Sequence, residues 1–284
     1  MIYLILSVVC SMLISVLMRA SEKRVKNNVT LLAANYVMCT VLALFFTRGI
    51  RLFPMETAGS GLTIGLGVIN GMLYLGAFML LQWNIRVNGV VLPSTFMKLG
   101  VLVPIVVSIV IFRDKPEIFQ LIGIAISIAA ILLIQLEKGG QKAKSSLGLV
   151  MVLLCGGCAD TMSTVFERLG NAELNSHFLL YTFFCALILC IVLCIVKKQG
   201  LKPADALFGL MIGIPNYLSS RFFLLSISEA GGISPLIAYP FFSVGTIVLV
   251  TLAGAIFFKE KLSKKQIIAL VLILVALALL NIKI

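Results

Sequence analysis

Acidic side chains are scarce in this chain of 284 residues: eleven Asp and Glu stand against 23 Lys and Arg, and charged residues of both signs make up only 12% of the sequence. There is one histidine, His177, at the start of an apolar run, and no HExxH, GxSxG or carboxylate pair occurs. Intramembrane hydrolysis needs a metal cluster or an activated nucleophile with a base at matching depth, so an enzyme is set aside. Nothing resembles an ion-selectivity filter, which disfavours a channel. No linker is long enough, and no run polar enough, for a soluble domain. No basic residue precedes the first apolar run and a basic cluster follows it, the reverse of a secretory signal, so that run is expected to be a retained helix.

What is present is apolar. Hydrophobic residues reach 61% and the mean hydropathy is +1.13. No water-soluble core could hide that much apolar surface. Ten runs stand out, near 2–18, 29–47, 61–81, 90–112, 118–136, 147–166, 176–196, 205–227, 232–258 and 266–282. Unbroken runs of about 20 residues satisfy their own backbone as helices, whereas barrel strands would alternate over about ten. The expected fold is all-α and integral to the membrane, with ten transmembrane helices in a single membrane domain spanning 1–284.

Placement of the positive charges orients the chain. Fifteen Lys and Arg fall in the odd-numbered loops, including Arg19, Lys23, Arg24 and Lys26 after the first run and Lys138, Lys142 and Lys144 after the fifth. Six fall in the even loops and termini, and Lys98 and Arg221 lie inside runs. The positive-inside rule then makes the odd loops cytoplasmic and puts both termini outside, in a bacterial-type plasma membrane. Charge distributed this way serves the bilayer rather than nucleic acid.

The chain repeats itself. The stretch from Val90 to Ile134 holds two apolar runs around a charged turn, Arg113-Asp114-Lys115-Pro116-Glu117. Phe112-Arg113-Asp114-Lys115 falls on Phe258-Lys259-Glu260-Lys261, and Gln120 on Gln266, at an offset of 146. Pro93 falls on Pro235 and Gly71 on Gly213 at 142; Cys10 falls on Cys155 and Ser15 on Asp160 at 145. The copies are 1–138 and 146–284. An odd number of helices in each forces opposite orientations, which is the architecture of alternating access.

Seven cysteines, at 10, 39, 155, 158, 185, 190 and 194, all lie within apolar runs and are expected to pack helices rather than bind metal. Small residues at Gly61, Gly65, Gly67, Gly71 and Gly76 are expected to let a neighbouring helix approach closely.

Five-plus-five inverted helices with the turn FFKEKLSKKQ between the last two resemble the drug/metabolite transporter superfamily, specifically its ten-helix EamA-like members. The segment AYPFFSVGTIVLVTLAGAIFFKEKL resembles the third helix of small multidrug resistance proteins. The resemblance covers essentially the whole chain and implies transport without naming a substrate. Small multidrug resistance proteins place a functional glutamate in their first helix; the aligned positions here are Ser15 and Asp160, so Asp160 is the one candidate heir to that role.

Polar residues inside the runs supply the candidate substrate-binding set. Lys98 lies roughly 12 Å along its run at 1.5 Å per residue, too deep to face lipid. Asn216 and Tyr217 share a run with Ser220 and Arg221 at helical spacing, Asn70 and Tyr74 are four apart, and Asp160 and Tyr239 add to the set. Polar faces from both copies suggest a central wet cavity. For Lys98 and Asp160 the competing reading is a structural ion pair, which would still leave Arg221 in want of a partner. The stripe Ser7, Ser11, Ser15 is expected to make interhelical hydrogen bonds, and Pro93, Pro104, Pro215, Pro235 and Pro240 to weaken helices where gating bends occur. Two cations against one acid leave a positive charge that a carboxylate or phosphate could satisfy. The expected activity is therefore secondary transport of a small organic metabolite, with no catalytic residue, metal or cofactor, and with a proton or counter-substrate as the coupling partner. Multidrug or cation export is the alternative, and the chain would act as a monomer or homodimer.

Overall fold

The fourth apolar run does not form one helix. Pro104 has no amide hydrogen to give to the carbonyl four residues back, at Gly100, and its ring disfavours an unbroken helix. Two helices result, α4 (Val91–Leu99) and α5 (Leu102–Val110). Across the break the chain closes tighter bonds instead, from the amide of Val103 to the carbonyl of Gly100 at 2.9 Å and from Gly100 to Met97 at 3.2 Å.

The computed structural model describes the chain except residues 23, 26, 48–51, 55, 89–90, 137–144, 229, 258–263 and 281–284. Lys23, Lys26, Arg48, Arg51, Lys138, Lys142, Lys144, Glu229, Lys283 and the turn Phe258-Lys259-Glu260-Lys261 therefore lie outside the described residues. The remaining helices are α1 (Ile2–Ser21), α2 (Asn28–Phe46), α3 (Ser60–Asn88), α6 (Ile118–Leu136), α7 (Ser146–Leu169), α8 (Asn175–Val196), α9 (Pro203–Ile227), α10 (Pro235–Phe257) and α11 (Lys264–Leu280). The molecule is an all-α membrane protein. Seven described helices are long and apolar enough to cross a bilayer, and Phe96–Val110 and Ile118–Leu133 are shorter apolar segments.

Helix ends follow local chemistry. Asn27 caps α2 by accepting from the amide of Val29 at 3.0 Å, and Pro203 opens α9 at the position where a missing amide hydrogen costs nothing. In the turn after α5, Arg113 takes a left-handed backbone, φ 57°, and the side chain of Gln120 reaches back to the amide of Glu117 at 3.1 Å. That bond, one half of a capping box, starts α6.

The chain forms two compact units, Met1–Leu75 with Val165–Gly231, and Gly76–Thr164 with Gly232–Ile284. In the first, α9 packs on α1 and α2, and α2 packs on α8. Glycines set the spacing. A Cβ at Gly71 would stand 2.6 Å from the carbonyl oxygen of Thr182 and 2.8 Å from Cβ of Cys185; at Gly213, 2.6 Å from the carbonyl of Asn35 and 2.6 Å from Cβ of Met38. The pair one turn earlier behaves alike: Gly67 meets Phe178, Tyr181 and Thr182, and Gly209 meets Leu31, Ala34 and Asn35. The glycines are 142 residues apart and every matched contact is 147 apart, so α3 lies on α8 as α9 lies on α2. Ser7 on α1 donates to the carbonyl of Ser219 at 2.8 Å and Ser219 returns the bond at 3.0 Å. This is interhelical bonding as expected for that serine.

In the second unit α6 packs on α11 and on α4, and α10 packs on α5, α6 and α11. Gly100 and Gly157 bring the α4–α5 break against α7, with Gly157 facing Val103 and the Gly100 carbonyl. Asn84 and Asn88 near the end of α3 hold the start of α7 through the Gly148 carbonyl at 3.0 Å and the Ser145 backbone at 2.9 and 3.2 Å.

The cysteines are all free thiols. Cys39 donates to the carbonyl of Gly213 at 3.4 Å and Cys185 to that of Val68 at 3.5 Å, each across a helix contact.

Candidate functional site

The eight candidate residues divide between the units. Asn70, Tyr74, Asn216, Tyr217 and Arg221 belong to the first, and Lys98, Asp160 and Tyr239 to the second.

In the first unit Tyr217 is the centre of an aromatic group. Its ring stacks on Phe46 at 5.6 Å between centroids and leans on Phe183 at 6.0 Å; Phe183 in turn contacts Tyr74 and Tyr36, each at 6.2 Å. One helical turn along α9, Arg221 sets its guanidinium carbon 4.2 Å from the Phe46 centroid and donates to Ser176 Oγ at 2.9 Å. A cation over a ring face gains electrostatic attraction that grows as water is excluded. Among the described residues no carboxylate pairs with Arg221. Tyr217 is wholly buried, with its hydroxyl beside the Arg221 guanidinium but in no well-formed hydrogen bond, and Asn70 Oδ1 is buried with no partner among the described atoms. Leaving such an atom unsatisfied costs about 1–3 kcal/mol, a penalty that a ligand or water bond would relieve. The rest of this polar set is committed: Asn70 Nδ2 to Thr182 Oγ1 at 3.3 Å and Asn216 Nδ2 to Asn35 Oδ1 at 3.2 Å.

In the second unit Lys98 lies in the last turn of α4, one residue before Leu99 and the helix break. The unpaired carbonyls of a helix C-terminus favour a cation there. Lys98 and Asp160 are both exposed, and each feels the other's charge, but no salt bridge joins them. The structural ion pair is thus not formed. Tyr239 ties α10 to α7 by donating to the carbonyl of Asp160 and accepting from Thr164 Oγ1 at 3.1 Å. Its hydroxyl positions the backbone that carries Asp160.

Reading the sequence alone missed Phe46, Ser176 and Phe183. Phe46 closes an apolar run and Ser176 opens another, and neither position carries a periodic signal; only the fold brings them to Arg221. His177 is fully buried in the first turn of α8, 6.1 Å from the Tyr181 ring.

Comparison with known proteins agrees with this architecture. Residues 181–273 match the family model described as Small Multidrug Resistance protein. An uncharacterized protein of Haemophilus influenzae is 23% identical over 269 residues, covering 92% of this chain and 91% of its own. A solved crystal structure of a protein superposes with a TM-score of 0.75 at 13% identity, covering 98% of this chain and 96% of its own, which speaks to the fold. With helices long and apolar enough to span a bilayer, the chain is a multi-pass membrane protein whose residues 181–273 are similar to the small multidrug resistance family.

Proposed function

We propose that the chain is a secondary transporter, working by alternating access, of a small organic metabolite bearing a carboxylate or phosphate. The observation that carries this reading is Arg221, held by a hydroxyl and a ring face and paired with no described carboxylate. A planar guanidinium so presented accepts an anionic group in bidentate fashion. Tyr217 and Asn70 offer the solute a buried hydroxyl and a buried amide oxygen, while Tyr74 supplies a ring with a polar edge. Lys98 and Asp160 form a second polar cluster, in which Asp160 is suited to carry a coupling proton.

The proposed architecture is ten spans in two inverted copies, 1–138 and 146–284. The reciprocal glycine contacts inside the first unit support it, because exchanging the copies maps each contact onto its counterpart. Exchange of conformation between inverted copies opens such a protein to either side in turn. The proposed orientation keeps the odd loops cytoplasmic and both termini outside, in a bacterial-type inner membrane.

Export of cationic or multidrug compounds is the second reading, favoured by the family match over 181–273 and by the exposed carboxylate of Asp160. A thermal-shift screen of purified protein against carboxylates, phosphorylated metabolites and quaternary amines separates the two. Stabilisation rises with ligand concentration over its dissociation constant, so the class that binds declares itself. The proposal expects anions to stabilise and amines not to.

A further inference from the structure

Within the first unit, the start of α2, the second half of α8 and the start of α9 enclose a cleft of about 680 Å³. Its walls are apolar, from Val37, Leu187, Ile191, Ile195, Leu201 and Leu210. Between Leu187 and Lys198 it follows α8 for roughly 16 Å at 1.5 Å per residue. That is close to one hydrocarbon leaflet, half of a core about 30 Å thick. Polar groups gather at one end, where the turn from α8 to α9 carries Lys197, Lys198, Gln199 and Lys202. Thr30 is at that end too, but its hydroxyl is committed to Asp205 Oδ2 at 2.9 Å.

Two details of the turn point to a headgroup. Lys198 adopts a left-handed backbone, φ 49°, the position after a helix where glycine is ordinarily found, so a lysine is kept there against backbone preference. Beside it, Gln199 lines the cleft with an inaccessible Oε1 that has no partner among the described atoms. Such an oxygen calls for a donor.

We propose that the cleft is a binding site for one molecule of phosphatidylglycerol. An acyl chain fills the apolar length, Lys198 pairs with the phosphate, and the Gln199 side chain turns its closed-off Oε1 toward the headgroup to accept from a glycerol hydroxyl. A free phosphate would leave the apolar length unfilled, and a choline headgroup has neither net negative charge nor a hydroxyl to give.

Cys194 lines the same cleft and reports its occupancy. The full chain is placed in bilayer discs of phosphatidylcholine with or without phosphatidylglycerol, treated with a lipid-soluble maleimide, and the Cys194 peptide is quantified by mass spectrometry. Phosphatidylglycerol is expected to slow modification about fivefold, the population ratio that one lysine near an anionic lipid provides. Lys198→Gly, which keeps the left-handed turn without strain, is expected to return the rate to that in phosphatidylcholine. Equal rates in the two lipids would overturn the proposal. So would protection that survives Lys198→Gly, or equal protection by glycerol phosphate added to phosphatidylcholine discs.

Discussion

The guanidinium of Arg221 and the ring of Phe46 stand 4.2 Å apart, and the same ring stacks on Tyr217 at 5.6 Å. One aromatic ring thus contacts both the charge and the buried phenol of the candidate site. Phe46→Leu is expected to weaken substrate binding by about 0.5–2 kcal/mol, the range of a cation over a ring, while leaving transport detectable. Arg221→Lys should retain charge but lose bidentate contact, and fall further than Phe46→Leu in a binding titration.

Tyr217→Phe separates stability from function at a single atom. The buried hydroxyl lies beside the Arg221 guanidinium without a well-formed hydrogen bond, so its removal should leave the melting temperature nearly unchanged. Substrate affinity should fall. A melting temperature that drops with affinity intact would mark the phenol as a packing element.

Lys98 and Asp160 make no salt bridge, so Lys98→Met should strand no buried carboxylate. The expected result is lost transport with nearly unchanged folded yield. The double variant Lys98→Met with Asp160→Leu should remain inactive; recovery of transport would return the two residues to a structural role.

Gly71→Ala and Gly213→Ala should each destabilise by about 1–3 kcal/mol, since the new methyl meets a backbone carbonyl that cannot yield. Gly65→Ala, with nothing within 4 Å of its Cβ position, should be neutral or stabilise by up to about 1 kcal/mol. Thermal unfolding in detergent checks all three.

Orientation has its own measurement. In a cysteine-free background, a cysteine at Glu56 should react with a membrane-impermeant thiol reagent in intact cells and one at Lys142 should not. The opposite labelling would invert the topology and leave the repeat untouched.

Much of the fold was legible because a bilayer leaves a chain few choices. Apolar runs of about 20 residues must be helices, and the offset of 142 between Gly71 and Gly213 was readable before their matching contacts were seen. The break after Leu99 was only half legible: Pro104 signalled weakness, but the exact residues where helix gives way depend on Gly100 packing against Gly157. The charged candidates, Lys98, Asp160 and Arg221, stood out because a charge in an apolar run is costly. Phe46 and Ser176 did not, since a phenylalanine or serine is at home anywhere in a membrane helix and acquires a role only from what the fold sets beside it.

The most direct test of the account is flux into proteoliposomes of the full chain, measured for whichever carboxylate or phosphate metabolite stabilises the purified protein. The account predicts saturable uptake that Arg221→Met abolishes while folded yield is preserved. Saturable flux of a quaternary amine that survives Arg221→Met and is lost in Asp160→Asn would contradict it.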